Sequence, residues 1–496
     1  MRYFLILRIV GILLSLVALA MAVCGLFSWL DPLPGEAEAI PAMFISSACA
    51  IGIGIVLMGL GGFRRFKGKL LRREAVVIVG LGWVSCSILG GLPYLLCPPH
   101  LNWAAALFES TSGFTTTGST VMTDIEAWPR GLLLWRSMTQ WLGGIGILVL
   151  FVAVLSYLGV GAKSLFHNES SYRTGDAGMA RIRDTSLWLL RIYLALSLSC
   201  AIGLRMMGLS WFNAVCHSMT TVSTGGFSPH NLSIGHYSGW GNGWLIELWL
   251  VCIMLLCSIN FLLYLVIAHR NWRRLRQEED ARLLFLVVGL AVVAITGGRA
   301  LHGDAPFMES LRHALFTVVS TISTTGFGIV DYELWEAWPQ VILILLMFVG
   351  GCAGSTAGGF KIGRLLVFLK YARQEIIRAF RPNQVFSLRV NGQNIQESAR
   401  SQTLFFLTMY LMIAIFATAV VGLLEAGTEI DIDTCAGAVL ATLSNIGPGF
   451  GDVGPSDNFS GFREDTLLFL SWLMILGRLE LFALLVLFFP SAWRKY

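Results

Sequence analysis

Apolar runs near 4–30, 40–62, 75–97, 130–160, 184–209, 242–268, 283–303, 337–371, 401–425 and 463–490 each reach the ~20 residues that a helix needs to cross a bilayer. A soluble globule has no interior large enough to hide them all. Composition agrees: 55% of the 496 residues are hydrophobic, 13% are charged and the mean hydropathy is +0.71. An integral membrane protein of about ten spans is predicted. The first run is too long for a secretory signal and lacks a small-residue cleavage site, so it reads as a retained helix.

Inside a bilayer, non-helical backbone is tolerated only where it is buried in protein or lines a watery cavity. Four uncharged stretches between the spans are of this kind: Phe114-Thr115-Thr116-Thr117-Gly118-Ser119-Thr120, Thr221-Val222-Ser223-Thr224-Gly225-Gly226-Phe227, Thr321-Ile322-Ser323-Thr324-Thr325-Gly326-Phe327, and Ser444-Asn445-Ile446-Gly447-Pro448-Gly449-Phe450. Sixteen positions before Gly118, Gly226, Gly326 and Gly449 stand Asn102, Ser210, Ser310 and Asp433, all residue types that cap helix starts. Twelve positions before the same glycines stand Ala106, Ala214, Ala314 and Gly437, all small. Each unit reads as a capped short helix and a hydroxyl and glycine turn, flanked by two spans. Four ordinary extracellular loops are the alternative, but such loops do not share an ungapped register. In the fourth unit Asn445-Ile446-Gly447 matches Thr116-Thr117-Gly118 about as well as Gly447-Pro448-Gly449 does, so its register is open by two residues.

The predicted fold is all-α and polytopic, with two leading helices and a basic connection over 1–73. Four pseudo-fourfold repeats of helix, re-entrant pore helix with filter loop, and helix follow over 74–183, 184–282, 283–400 and 401–496. Units of roughly 100 residues are too long for a stacked solenoid.

Arg64, Arg65, Lys67, Lys69, Arg72 and Arg73 crowd one connection, and basic residues recur over 163–183, 270–276 and 361–389. The connections carrying the four stretches almost lack Lys and Arg. Positive loops stay cytoplasmic, which predicts both termini inside and the four stretches entering from outside. This topology accounts for the net charge of +5, and nucleic-acid binding would need a basic soluble face that is missing. The ten cysteines have no paired spacing, so neither a disulfide nor a metal framework is expected. Catalysis is not expected either, because the chain has no His-Glu-x-x-His motif and no paired carboxylate constellation.

A short helix that enters from outside and stops halfway aims its carboxyl end, with unpaired carbonyls and a partial negative charge, at the membrane centre. Four such ends suit a cation. The following Thr/Gly backbone can offer carbonyl oxygens in place of a hydration shell, and oxygens without carboxylates favour a monovalent ion over calcium or magnesium. Potassium is the natural candidate.

The chain resembles the TrkH/TrkG branch of the Trk/Ktr/HKT superfamily of potassium transporters over nearly its whole length. The motifs that carry this are Ala106-Leu107-Phe108-Glu109-Ser110 leading into Thr115-Thr116-Thr117-Gly118, Trp141-Leu142-Gly143-Gly144-Ile145-Gly146, Gly350-Gly351-Cys352-Ala353-Gly354-Ser355-Thr356, and Leu476-Gly477-Arg478-Leu479-Glu480. The resemblance implies a bacterial inner-membrane homodimer, surrounded by lipid, that works with a cytosolic nucleotide-binding partner of the TrkA type. It implies the potassium ion as cargo and no organic cofactor. It also implies filter positions at Thr116, Thr117, Gly118, Thr224, Gly225, Gly226, Thr324, Thr325, Gly326 and, in the fourth unit, Asn445, Ile446, Gly447, Pro448 and Gly449. Departures from a strict repeat at Ser119, Gly225 and Pro448 bear on selectivity over sodium. A proton- or sodium-coupled potassium symporter is the alternative function. Coupled transport commonly uses midplane ionisable residues or inverted repeats, whereas these units are parallel and nearly free of carboxylates within the spans.

The run 337–371 is interrupted by Gly350, Gly351, Gly354, Ser355, Thr356, Gly358 and Gly359, a glycine load that destabilises a helix at each position. It is expected to unwind in mid-membrane. A phosphate-cradling loop is excluded because Gly-Lys-Ser/Thr and a preceding strand are missing; close helix packing through small residues remains open. The resemblance implies an intramembrane loop beneath the filter that acts as a gate. Arg478 lies deep in the last apolar run, where a charge is expensive and usually functional. It either faces the pore, donating to the free carbonyls of the 350–359 loop, or pairs with Glu480, although residues two apart on a helix do not face each other. Glu109 and His217 are expected to make polar contacts behind the filter.

Overall fold

The computed structural model describes residues 2–31, 33, 35–62, 72–146, 178–303, 305–383, 387–395 and 397–481. Arg64, Arg65, Lys67 and Lys69, the basic connection over 163–177, and the parts of the predicted spans at 147–160 and 482–490 lie outside the described residues.

Two long apolar helices, Tyr3–Leu30 and Glu36–Gly61, come first. They approach closely because glycines face each other, and a Cβ on Gly11 would stand 2.6 Å from the Gly54 carbonyl oxygen. Small residues at such crossings are how helices gain van der Waals contact in lipid, where apolar burial gives little. Four units follow. The first comprises Arg72–Gly90, the pore helix Trp103–Phe114 and Arg130–Ile145; the second Gly178–Met206, the pore helix Trp211–Val222 and Gly243–Ser258. The third comprises Glu279–His302, the pore helix Phe307–Ile322 and Ala337–Phe348; the fourth Glu397–Leu424, the pore helix Ile432–Leu443 and Glu464–Arg478.

Packing closes these units into a ring. Every pore helix lies against both spans of its own unit and against the second span of the preceding unit. The second pore helix thus touches Arg130–Ile145, the third Gly243–Ser258, the fourth Ala337–Phe348 and the first Glu464–Arg478. The leading helix Tyr3–Leu30 packs on the first unit from outside the ring.

Two of the four expected caps are in place. The Asn102 side chain accepts from the Ala105 N–H at 2.8 Å and the Ser210 hydroxyl from the Asn213 N–H at 3.2 Å, satisfying donors that the first helical turn leaves free. The other two are corrected. The third pore helix starts one turn early, after Pro306, and buries Ser310 inside it; proline suits the start because its fixed φ fits there and it has no N–H to satisfy. The fourth follows Asp431, which leaves Asp433 in the first turn rather than at the cap.

Among the described residues six helices are long and apolar enough to cross a membrane, and Gly243–Ser258 with Leu262–Ala268 forms a further apolar pair bent by 96°. Other predicted runs are interrupted midway. The run 337–371 divides into Ala337–Phe348 and Ile362–Phe380 around the glycine-rich loop. Glu464–Arg478 ends where Glu480 and Leu481 turn left-handed at φ 53° and 64°. The break at 259–261 was not foreseen, since only Asn260 marks it; its side-chain oxygen accepts from the Leu262 N–H at 2.9 Å and restarts the helix.

Candidate functional site

The four pore helices end in the same backbone conformation. Thr116, Thr224, Thr324 and Asn445 are left-handed, at φ 52°, 54°, 55° and 55°, and two residues later Gly118, Gly226, Gly326 and Gly447 are left-handed at 93°, 80°, 77° and 106°. The fourth register is thereby decided: Asn445-Ile446-Gly447 is the counterpart of Thr116-Thr117-Gly118. The sixteen- and twelve-residue offsets then fall on Asp431 and Cys435, not Asp433 and Gly437.

Contacts between the loops form a closed cycle. A Cβ built on Gly118 would stand 2.2 Å from the Gly225 carbonyl oxygen, on Gly226 1.9 Å from that of Thr325, on Gly326 1.8 Å from that of Ile446, and on Gly447 2.9 Å from that of Thr117. Each glycine abuts the central residue of the next loop, and the fourth abuts the first. Four strands of backbone that touch in this order enclose a common axis. Gly118, Gly226 and Gly326 are partly open to water while the three or four residues before each are buried; in the fourth loop Pro448 takes the open position. Gly449 stands behind the ring, where its carbonyl accepts from the Tyr332 hydroxyl at 2.7 Å and its N–H donates to the Val453 carbonyl at 2.7 Å.

Side chains behind the ring fix the loops to one another. The Asn445 amide donates to Thr117 Oγ1 at 2.9 Å and to the Met474 carbonyl at 2.9 Å. The Ser119 hydroxyl donates to the Gly447 carbonyl at 2.9 Å, which gives a physical reason for serine where the second and third units carry phenylalanine. Gln140, from the second span of the first unit, brackets the second loop: its amide donates to the Gly225 carbonyl at 2.6 Å and its oxygen accepts from the Phe227 N–H at 3.1 Å. Glu109 accepts from Arg136 Nε at 2.6 Å, from the Thr120 hydroxyl at 3.0 Å and from the Val121 N–H at 3.0 Å. Arg136 in turn donates to the Ser228 carbonyl at 2.8 Å and lies 3.6 Å over the Phe227 ring. His217 is buried and meets the Tyr237 hydroxyl at 3.3 Å. Sequence reasoning missed Gln140 and Arg136, although a polar side chain within an apolar run is a signal in itself.

Directly beneath the ring lies the glycine-rich loop. Val349 and Gly350 pair with Phe360 and Lys361 as two short parallel strands, so the chain between them forms a closed excursion. The Gly358 N–H donates to Thr324 Oγ1 at 2.6 Å, and the Thr356 hydroxyl donates to the Val222 carbonyl at 3.1 Å. A Cβ on Gly358 would meet the Ser444 carbonyl oxygen at 2.8 Å, and one on Gly350 would fall 2.1 Å from the Gly358 carbonyl oxygen. Gly351 is equally confined, with its carbonyl accepting from Ile362 N–H at 3.1 Å. Gly354 and Gly359 are left-handed at 75° and 65°, and the Gly354 carbonyl accepts from the Phe261 N–H at 3.1 Å. The Ser355 hydroxyl turns back to the Cys352 carbonyl at 2.7 Å. Here glycine serves an unwound loop rather than the packing of two helices.

Arg478 reaches this loop from the fourth unit. Its Nη1 donates to the Thr356 carbonyl at 2.9 Å, the guanidinium is buried, and Nε and Nη2 find no acceptor among the described residues. Glu480 is not its partner; it pairs with Arg364, on the helix that leaves the loop.

Comparison with known proteins agrees with this architecture. A family model described as "TrkH: Cation transport protein" matches residues 50–495. The chain is 34% identical to the Trk system potassium uptake protein TrkH of Halomonas elongata over 498 residues, covering 99% of each chain. It is also 34% identical to the Escherichia coli protein of that name over 499 residues, covering 100% of each. Among solved structures, the potassium transporter TrkH from Vibrio parahaemolyticus superimposes with a TM-score of 0.87 at 30% identity, covering 100% of both chains. The chain is a multi-pass membrane protein and belongs to the TrkH family of cation transport proteins.

Proposed function

We propose that this protein takes up potassium ions across the bacterial inner membrane, through a channel-like filter formed by residues 116–118, 224–226, 324–326 and 445–447. The observation that carries this reading is the closed cycle of glycine against carbonyl around the four loops. It supports a single axis lined by backbone oxygens and free of carboxylates, an environment that suits a weakly hydrated monovalent cation. The pore-helix carboxyl ends add their partial negative charge to it.

The 350–359 loop is the gate on this reading, and Arg478 holds it closed. The guanidinium anchors Thr356 under the filter and sets a fixed positive charge in the path, where the low dielectric lengthens its reach. Opening withdraws the loop through Ile362–Phe380, the helix that continues from it toward the cytoplasmic side and presents Arg373, Arg378 and, just past its end, Arg381 there. A nucleotide-binding cytosolic partner of the TrkA type pulls on that helix, the protein works as a homodimer, and both termini lie inside. Purified protein in liposomes, with potassium, sodium and pH gradients varied singly, tests the conduction step. Potassium flux that follows its own gradient at clamped pH and without sodium is expected, and flux that requires a proton or sodium gradient refutes the channel mechanism in favour of symport.

A further inference from the structure

The outer loops bring together three side chains that conduction does not use. Glu126 lies on the segment after the first filter loop, and His230 and His236 on the segment after the second. Glu126 Oε1 is 3.0 Å from His230 Nδ1 and 4.0 Å from His236 Nδ1. One ligand atom from each residue falls within 4.8 Å of the other two. The two imidazoles stack with centroids 3.8 Å apart and planes 9° from parallel. The loops carrying them are already fastened, since Asn231 donates to Asp124 Oδ1 at 2.9 Å and accepts from the Ile125 N–H at 2.7 Å.

We propose that Glu126, His230 and His236 bind a borderline divalent transition-metal ion, Zn2+ by its chemistry, on the face of the protein that carries the filter loops, and that the bound ion slows cation entry. Two imidazoles and one carboxylate are a ligand set for zinc, copper or nickel, whereas potassium, magnesium and calcium call for oxygen alone. Zinc bonds of about 2.0–2.2 Å in a tetrahedron put neighbouring ligand atoms about 3.3 Å apart. The 3.0 and 4.0 Å separations bracket that spacing, and binding tilts the two imidazoles out of their stack so that both lone pairs meet at one ion. Glu126 and His236 are exposed, which leaves the fourth position to water. The His230 ring is half-buried. Its Nε2 faces the Asn213 amide at 3.0 Å; with metal on Nδ1, Nε2 carries the proton and the amide turns over to accept it, as outer-sphere partners of metal-bound histidines do. A metal here would cross-link the loops after the first and second filter segments and add positive charge at the rim.

The effect on flux rests on the proposed conduction; the binding does not. Untagged full-length protein is titrated calorimetrically with ZnCl2, and Co2+ is followed by its visible absorption. One ion per chain is expected, with affinity at least tenfold weaker in His236→Gln and in Glu126→Gln, and about tenfold weaker in Asn213→Leu through the lost second contact. Equal zinc affinity in the parent and in a His230→Ala, His236→Ala double variant overturns the site. In liposomes, outside Zn2+ is expected to reduce potassium flux through the parent and not through the double variant. Zinc binding with unchanged flux overturns the effect on entry. Absence of any potassium flux in the parent would count against conduction, and the calorimetry would still decide the metal site.

Discussion

Gly226→Ser subjects the filter to a perturbation whose size the geometry sets. At φ 80° a residue with a Cβ is strained, at a cost of about 1–2 kcal/mol for a left-handed L-residue. Its Cβ would also stand 1.9 Å from the Thr325 carbonyl oxygen, where real Cβ atoms essentially never come closer than 3.0 Å. The obstacle is backbone, not a flexible side-chain end, so the second and third loops must separate by about 1.1 Å to admit it. Ions of neighbouring size differ in radius by less than this, so oxygens displaced that far no longer tell potassium from sodium. A loss of ~1.4 kcal/mol of discrimination is a tenfold fall in the potassium over sodium ratio, and at least that is expected. The assay is paired potassium and sodium flux in liposomes at equal protein density, with Gly289→Ala as control, since nothing lies within 4 Å of a Cβ at that lipid-side helical position. An inserted Gly226→Ser protein that keeps the parent's ratio refutes the assignment of residues 224–226 to the filter.

Arg478→Ala, which frees the Thr356 carbonyl, is expected to raise partner-free potassium flux by about tenfold, a change that needs only ~1.4 kcal/mol off the barrier; parent-like flux removes Arg478 from the gate. Deleting residues 354–357 should likewise raise partner-free flux, and a deletion protein that stays closed argues against the loop as barrier. Glu109→Ala leaves the buried Arg136 guanidinium without its carboxylate, and thermal unfolding in detergent should register a loss of about 3–5 kcal/mol; an unchanged midpoint would mean that water or Ser228 already satisfies Arg136. Replacing Arg373, Arg378 and Arg381 with Gln should weaken capture of the cytosolic partner in pull-down at normal membrane insertion, and undiminished capture rejects docking at that helix.

The amino-acid sequence alone determined the large features: ten apolar runs, four hydroxyl and glycine turns, three of them in one register, and one glycine-laden break. These are legible because the bilayer forces each into view: a span must be long and apolar, and backbone that leaves the helix must carry residues that tolerate it. The caps at Asn102 and Ser210 were legible for a local reason, since a capping side chain bonds within its own first turn. The fourth register was not, because Asn445-Ile446-Gly447 and Gly447-Pro448-Gly449 are locally equivalent and only contact with Thr117 and with the third loop distinguishes them. Nor did the sequence decide between the two partners it offered Arg478, the 350–359 loop, which it reaches at Thr356, and Glu480, which turns to Arg364; nor did it tell that Gln140 brackets the second loop, or that Glu126 meets two histidines of another unit. Each of these partnerships joins residues 85 or more positions apart, and closure of the ring alone brings them together. Local residue types can state what a segment tolerates; which distant group satisfies it depends on how the four units pack about their axis.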